Sequence, residues 1–202
     1  MAIPSSDDEG GDTGARVSRA LGTTLITGLS QDNLLFIAYG VTQVLGIVMI
    51  TLCAVWTHNY LDGYSVATPQ QVFNYHPLLM TIGMLFLNAN GILIYRISRW
   101  LRFQRQKWIH FTVQTTALVV TLMGSYAVFH YHNAKDIPNL YSLHSWLGLT
   151  AVSGFALSLL AAFFSFLYPG IDPVYRRLIL PFHIFGGTAN IVLTGAVAIT
   201  GL

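Results

Sequence analysis

Four histidines are spaced so that they could bind metal at two depths of a membrane. His76, His110, His144 and His183 follow one another at intervals of 34, 34 and 39 residues, each at or near the start of a long apolar segment. A membrane crossing takes about 20 helical residues, so an interval near 34 corresponds to one crossing and one loop. Successive histidines then begin antiparallel helices, which puts His76 and His144 at one level and His110 and His183 at the other. Two imidazoles at each of two levels form the ligand set of two six-coordinate haems stacked across a bilayer.

Zinc is the other common metal for histidines. It takes four nitrogen or sulfur ligands in one cluster, at about 2.0–2.3 Å. The two histidine levels are separated by much of the bilayer core, which is about 30 Å thick, so one zinc ion cannot use all four imidazoles. The lone Cys53 lies inside the first apolar run, and no Cys-x-x-Cys-His motif for covalent haem attachment is present. We therefore expect two non-covalent haems, each held by two histidines.

Small or amide side chains follow the histidines at positions three, four or seven, which share a helix face with the histidine. Such residues leave room for a flat ligand, although ordinary close packing of membrane helices also uses glycine and alanine. The pattern alone does not separate the two explanations, but the two histidine levels favour haem. The residues are Gly83 after His76, Gln114 and Ala117 after His110, Gly148 and Ala151 after His144, and Gly186, Gly187 and Asn190 after His183.

The composition indicates a membrane protein. Hydrophobic residues make up 53% of the chain and charged residues 9%, against about 25% charged in a soluble domain. A net charge of +2 suggests no nucleic-acid partner. We predict an all-α, polytopic membrane helix bundle in which helices two to five form a haem-holding four-helix core. Residues 1–32 are predicted to be a disordered cytosolic tail and 33–202 the transmembrane domain. The five predicted spans are about 34–57, 76–95, 108–129, 142–166 and 172–202, and Thr68-Pro69 is interpreted as a break in the first loop.

The distribution of arginine and lysine predicts the orientation. The tail, the second-to-third loop and the fourth-to-fifth loop hold nine of these residues, and the loops on the other side hold only Lys135. Because cytosolic loops are enriched in positive charge, the N-terminus is predicted to be cytosolic. His110 and His183 then lie near the cytosolic face, and His76 and His144 near the opposite face. An odd number of spans leaves the C-terminus outside, which suggests that a sixth helix has been lost.

Two polar regions allow two interpretations each. The basic stretch 96–107 is expected from topology alone, yet Lys107 lies one turn before His110 and could hold an anionic substrate or a haem propionate at the rim of the inner haem. His130 and His132 end the third helix near the outer haem level. They are either interfacial polar residues or contacts for a substrate.

Several motifs resemble the cytochrome b561 family, and specifically its animal ascorbate-linked branch. They are Gly-Ile-Leu-Ile-Tyr-Arg-Ile-Ser-Arg at 91–99, Tyr-Ser-Leu-His-Ser-Trp-Leu-Gly at 141–148, Lys107 three residues before His110, and Tyr-Pro-Gly at 168–170. The histidine spacing is also similar to that of the family. The resemblance covers about residues 34–202.

The resemblance implies a six-helix homodimer in which helices two to five hold two b haems. His76 and His144 would hold the non-cytosolic haem, with Ser142 and Trp146 close to it, and His110 and His183 the cytosolic one. Cytosolic ascorbate would bind at a basic site, and monodehydroascorbate or a ferric complex would be reduced on the other side. The chain departs from the family by ending after the fifth helix and by carrying Arg105 where lysine is usual, which keeps the charge but changes donor geometry. The implied substrate residues are Arg96, Arg105, Lys107 and Arg176 for ascorbate, and His130, Tyr141 and Ser142 for the acceptor.

These observations predict an ascorbate-dependent transmembrane oxidoreductase in the membrane of an endomembrane vesicle, the lysosome or the cell surface. The alternative is a non-redox transporter whose buried histidines carry protons or metal in transit. Such proteins often have intramembrane Asp or Glu, and none of the apolar runs contains either. A purely structural membrane subunit would leave the paired histidine levels unexplained.

Overall fold

Five long helices account for most of the protein. The computed structural model describes residues 16–18, 22 and 30–201, and the regular structure in this part of the chain is helical throughout. Each of the five is long and apolar enough to cross a membrane. The predicted fold class and the number of spans are therefore confirmed. The helices are α1 (Gln31–Tyr60), α2 (Pro69–Ile97), α3 (Phe103–Ala134), α4 (Leu143–Leu167) and α5 (Pro173–Thr200).

The chain divides into two compact units, residues 1–45 and 46–202, and the boundary falls inside α1. In the described part of the first unit, Ser30 caps α1, since its Oγ accepts a hydrogen bond from Asn33 N at 3.2 Å. The helix consequently begins three residues before the predicted position. The predicted tail at 1–32 lies mostly outside the described residues, so its disorder and its boundary stay predictions.

The start of α2 differs from the sequence expectation by seven residues. Thr68 caps this helix by accepting from Gln71 N at 3.3 Å, and Pro69 occupies the first helical position. Threonine followed by proline favours a helix start because the hydroxyl satisfies a free N–H and proline needs none. The interpretation of this pair as a loop break was therefore wrong. His76 lies two turns inside α2 as a consequence.

The other starts follow simple capping rules. Ser142 caps α4, and Asp172 caps α5 with Pro173 first in the helix, so both helices begin within one residue of their predicted starts. Helix α3 begins at Phe103, five residues before the predicted start, and so places His110 two turns inside it. His144 is the second residue of α4.

Helices α2 to α5 form a closed core within the second unit. Helix α2 packs on α3, α3 on α4, α4 on α5, and α5 back on α2. The α2–α3 pair is especially close at Gly83, where a Cβ atom would lie 2.6 Å from Thr121 Oγ1 and 2.9 Å from Ala117 O. Small residues at such crossings let membrane helices approach closely. This arrangement is the predicted four-helix core.

An apolar cluster lies in the middle of this core. It consists of Met84, Ala117, Ala151 and Phe155, which are all buried. Ala117 and Ala151 each lie seven residues, or about 10 Å along a helix, after His110 and His144 respectively. The cluster therefore lies between the two histidine levels.

Candidate functional site

The structure brings together the two histidine pairs that the sequence spacing predicted. The ring centres of His76 and His144 are 6.2 Å apart, and their planes meet at 83°. The ring centres of His110 and His183 are also 6.2 Å apart, at 82°. The two pairs thus have the same ring separation and interplanar angle, although they lie toward opposite ends of the four-helix core.

This separation matches two imidazoles on opposite sides of one metal ion. A metal–imidazole bond is about 2.0 Å long, and a ring nitrogen lies roughly 1.2 Å from its ring centre, so two trans ligands have ring centres roughly 6.3 Å apart. Direct stacking of two imidazoles would bring the rings closer. The spacing of both pairs therefore fits a metal atom between the rings.

Backbone carbonyls fix the tautomer of three of these histidines. Nδ1 of His76 lies 2.9 Å from Gly124 O, Nδ1 of His110 lies 2.7 Å from Gly91 O, and Nδ1 of His144 lies 3.0 Å from Val197 O. A carbonyl oxygen can only accept, so Nδ1 carries the proton and Nε2 keeps its lone pair. Such a hydrogen bond is the usual outer support of a metal-bound histidine, since it orients the ring and raises its basicity.

The two pairs are far apart along the helices. His110 and Gly124, which marks the level of His76, are 14 residues apart on α3, or about 21 Å at 1.5 Å per residue. Among the described residues, no group of three or more His, Cys, Asp or Glu side chains is gathered closely enough to hold a metal ion. Both findings agree with the expectation that one zinc ion cannot use these histidines. The donor set, two neutral imidazoles at each of two levels, fits haem iron.

The glycines that follow the histidines have two different environments. Gly83 packs directly against α3, so its lack of a side chain allows close packing of the two helices. A Cβ atom at Gly186 or Gly187, just after His183, would meet no atom within 4 Å, which fits the alternative of room for a flat ligand. At Gly201 a Cβ atom would lie 2.6 Å from the His144 ring. The end of α5 can therefore approach this histidine only without a side chain.

Aromatic rings flank the histidines at both levels. Tyr95 lies 5.3 Å from His110 and Phe166 lies 5.4 Å from His183, between ring centres. Phe73 lies 5.9 Å from His76. The sequence analysis did not single out these three residues. Tyr95 alone had a signal there, because it belongs to the motif at 91–99.

Ser142 and Trp146 lie at the start of α4, next to His144. The Ser142 side chain accepts from Ser145 N, and the two hydroxyls lie 2.6 Å apart in a capping box. Ser142 therefore holds the turn that carries His144. The Trp146 side chain is exposed.

Beyond the His76–His144 pair, the end of α3 contacts the segment before α4. The His132 ring lies 5.9 Å from the ring of Tyr141, which is 67% exposed. His130 instead lies 5.9 Å from Tyr126, and its buried Nδ1 has no partner among the described residues. The structure thus groups Tyr141 with His132. The family resemblance implied His130, Tyr141 and Ser142 for the acceptor; which histidine faces Tyr141 depends on the rotation of the last helical turn, which the sequence does not give.

Hydrogen bonds fix the loop between α1 and α2, which lies at the same end of the core as the His76–His144 pair. Asn74 is fully buried, and its Nδ2 donates to Leu61 O and, at 2.6 Å, to Gly63 O. Tyr64 shares a short hydrogen bond with Thr57. Burial raises the pKa of the Tyr64 phenol, against the opposing effect of that hydrogen bond. These hydrogen bonds fix the loop to the end of α1 and to the first turns of α2.

At the opposite end, two of the four predicted cations bond to backbone carbonyls at the end of α4 and in the turn that follows it. Lys107 Nζ donates to Phe166 O at 3.2 Å and lies 5.1 Å above the Phe103 ring. Arg176 Nε donates to Ile171 O at 2.6 Å. Lys107 therefore bonds to the end of α4 and Arg176 to the turn that follows, and Phe166 itself lies next to His183. The other two, Arg96 at the end of α2 and Arg105 at the start of α3, are exposed.

Comparison with known proteins gives one consistent family. The family model described as eukaryotic cytochrome b561 matches residues 75–202. A probable ascorbate-specific transmembrane electron transporter of Oryza sativa subsp. japonica is 37% identical over 164 residues, which cover 80% of this chain and 70% of the relative. A transmembrane ascorbate ferrireductase of Arabidopsis thaliana is 34% identical over 169 residues, covering 83% and 73%.

Animal relatives match at the same level. A transmembrane ascorbate-dependent reductase of Homo sapiens is 37% identical over 161 residues, which cover 80% of this chain and 64% of that protein. Plant and animal relatives are thus equally similar to this chain. The matched region contains all four paired histidines and the basic residues around Lys107.

Proposed function

Because the chain belongs to the eukaryotic cytochrome b561 family, we propose that it transfers electrons across a membrane, from cytosolic ascorbate through two b haems to an oxidised acceptor on the other side. The family binds haem b, and the five apolar helices make the chain an integral, multi-pass membrane protein. The proposal concerns how many haems this chain holds, which residues hold them, and which substrates meet them.

The observation that carries the proposal is the pair of equivalent histidine contacts about 21 Å apart along the helices. His76 and His144 would hold the non-cytosolic haem, and His110 and His183 the cytosolic one. Haem iron, when bound, supplies one-electron redox chemistry. The protein would contribute imidazole nitrogens, three of them of fixed tautomer, and the apolar cluster around Phe155 would keep water out of the space between the levels.

Basic side chains would bind ascorbate on the cytosolic face. Ascorbate is a monoanion near neutral pH, and a cation at the rim of the site attracts and orients it. Lys107 bonds to the end of α4 and Arg176 to the turn that follows it, beside the inner pair. Arg96 and Arg105 add exposed positive charge on the same side. The excess of Arg and Lys on this side supports a cytosolic location for it and for the N-terminus.

The acceptor would bind near the outer pair, at Tyr141 and the two histidines at the end of α3. Hydroxyl and imidazole groups there can donate to the oxygens of monodehydroascorbate or of a ferric chelate. Trp146 supplies an exposed ring nearby, and Ser142 fixes the turn. The family resemblance further supports a homodimer, in an endomembrane vesicle, the lysosome or the plasma membrane.

Sealed vesicles test the whole proposal. Purified protein would be reconstituted into liposomes loaded with ascorbate, with membrane-impermeant ferricyanide outside. We expect the b-haem absorption bands and a ferricyanide reduction that requires both ascorbate and protein. The double variant His110→Ala/His183→Ala should retain membrane insertion and lose this flux.

The alternative of a proton or metal transporter makes a different prediction. Such a protein would move protons or metal ions without haem absorption and without ascorbate. Protein that folds in the membrane, binds no haem and transports an ion would overturn the proposal.

A further inference from the structure

The carbonyl that receives the His110 hydrogen bond belongs to a residue held from a second side. Gly91 O lies 2.7 Å from His110 Nδ1. A Cβ atom on Gly91 would lie 2.7 Å from Cδ, 2.8 Å from Oε1 and 3.0 Å from Nε2 of Gln114. Gln114 is one turn after His110 on α3. Two side chains of α3 therefore contact the same residue of α2. His110 hydrogen-bonds to the carbonyl oxygen of Gly91, and the Gln114 amide packs against its Cα.

Gln114 is itself anchored. Its Nε2 donates to Asn88 Oδ1 at 3.1 Å, and both amides are more than nine-tenths buried. A glutamine end group can usually move away from a neighbour, but this one is confined by burial and by the second amide. Gln114 Oε1 and Asn88 Nδ2 have no partner among the described residues. A buried amide pair with unpaired atoms is costly to maintain, so bulk stability alone does not account for it.

At the outer level, the glycine that accepts the histidine hydrogen bond has different packing neighbours. Gly124 O accepts from His76 Nδ1 at 2.9 Å. A Cβ atom on Gly124 would meet Leu79 Cβ at 3.1 Å and the backbone of Met80 and His76 at 3.5 Å. The two acceptor glycines thus have the same role toward their histidines but different supports, an amide in one case and an alkyl side chain in the other.

We propose that Gln114, anchored by Asn88, is a positioning residue for His110. It fixes where residue 91 lies against α3, and with it the length of the hydrogen bond between Gly91 O and His110 Nδ1. It thereby makes the inner haem site electronically distinct from the outer one. This inference rests on the proposed function, specifically on His110 as an iron ligand.

The sign of the effect follows from ligand basicity. An N–H donated to a carbonyl makes the imidazole a stronger donor to iron, and a stronger donor favours the oxidised metal. Weakening the bond should therefore raise the reduction potential of the inner haem and leave the outer one unchanged. A hydrogen bond of ordinary net strength corresponds to about a threefold to tenfold change in an equilibrium.

The test is a redox titration of the purified full chain with both haems bound, followed by optical and electron paramagnetic resonance spectra. Gln114→Leu keeps most of the volume and removes the amide. We expect the ratio of reduced to oxidised inner haem at a fixed applied potential to rise about threefold to tenfold, or about 28–59 mV for a one-electron couple. The largest g value of that haem should shift as well. The outer haem should keep its reduction potential and its largest g value.

A double-mutant cycle distinguishes an effect of the Gly91–Gln114 contact from a general loss of structure. Gly91→Ala should disturb the inner haem because its methyl needs the space of the Gln114 amide. Adding Gln114→Ala vacates that space, so the double variant should shift the potential by less than the sum of the single changes. Gly124→Ala is the matched control and should shift the outer haem only.

Failure of this inference can be distinguished from failure of the proposed function. Unchanged potential and g values in Gln114→Leu, or equal shifts of both haems, would overturn the inference while the proposed function stands. Protein that binds no haem would instead overturn the function. If Gln114→Leu does not fold, Asn88→Leu removes the anchor and leaves the glutamine, and the same comparison applies.

Discussion

Lys107 donates from its ammonium group to the backbone carbonyl of Phe166, 3.2 Å away. Phe166 lies at the end of α4, where carbonyl groups have no helical partner and the helix dipole is negative. The lysine therefore stabilises this end of α4 and also brings a positive charge to the rim of the inner histidine pair. Substitution of this residue should affect both stability and substrate binding.

Replacing Lys107 by Met should slow haem reduction by ascorbate and also lower thermal stability. A charge-assisted contact is worth roughly 1.5–3 kcal/mol, and exposure at the rim places it at the low end, about tenfold in apparent affinity. Stopped-flow reduction across a salt series measures this, because added salt should mimic the loss. Reduction by uncharged dithiothreitol should change much less.

Arg96→Ala is the matched control for this lysine. Arg96 is exposed at the end of α2, so its loss should slow reduction by ascorbate without lowering the melting temperature. Both haems should remain bound in each variant. If ascorbate reduction proved indifferent to both substitutions and to salt, the basic stretch would reflect topology alone.

The purified protein should contain two haems per chain that acid organic solvent extracts. Each histidine pair has ring centres 6.2 Å apart, a spacing that could hold one haem, and the sequence has one cysteine, Cys53, and no Cys-x-x-Cys-His attachment motif. Haem and protein are quantified on the same sample by pyridine haemochrome and amino-acid analysis. A ratio near one, or haem retained on the polypeptide, would contradict the two-level arrangement.

Single histidine replacements should remove one haem each. His76→Ala or His144→Ala should delete the outer spectral component, and His110→Ala or His183→Ala the inner one. Because a ligand that binds only the folded state stabilises it, loss of a haem should also lower the melting temperature of these variants. Loss of the same component in His76→Ala and His110→Ala would show that the pairing is wrong.

The histidine levels were predictable because they depend on few quantities. Helix rise and bilayer thickness convert an interval of 34 residues into one crossing and one loop, so the spacing predicts alternating levels. The pairing then follows from the alternation alone. The start of α5 was predictable because Asp172 and Pro173 act through their immediate neighbours, and the start of α4 lies within one residue of the expected position, with Ser142 as its cap.

Features set by helix rotation were not predictable. The acceptors for the histidine Nδ1 atoms are backbone carbonyls of Gly91, Gly124 and Val197. A carbonyl gives no residue-type signal, and its selection depends on the register between neighbouring helices. The contact between His132 and Tyr141 depends likewise on how the last turn of α3 meets the next segment.

Substitutions at the end of α3 should separate the two candidate acceptor histidines. His132 packs against the exposed Tyr141, whereas His130 faces Tyr126. We expect His132→Ala to slow oxidation of the reduced protein by a ferric chelate more than His130→Ala does, with both haem spectra unchanged. Stopped-flow reoxidation of pre-reduced protein measures this. Equal effects, or a larger effect at His130, would place the acceptor on the Tyr126 side.

The close approach of α2 and α3 should make Gly83 intolerant of any side chain. A Cβ atom there would lie 2.6 Å from Thr121 Oγ1 and 2.9 Å from Ala117 O. The threonine hydroxyl is already bonded to the same carbonyl at 2.8 Å, and a backbone oxygen cannot rotate away. Gly83→Ala should therefore push the two helices apart. Overpacking of this kind typically costs about 1–3 kcal/mol.

Thermal loss of the Soret band measures this change, and Gly40→Ala on α1 provides the control. A Cβ atom at Gly40 meets nothing within 4 Å, so alanine there should keep or slightly raise stability through its better helix propensity. Gly83 lies between the two histidine levels on a helix that contributes to both. Its substitution should thus lower the temperature at which both haems are released, and by similar amounts. Release of one haem alone would mean that the two levels respond to α2 independently, and that the apolar cluster between them does not couple them.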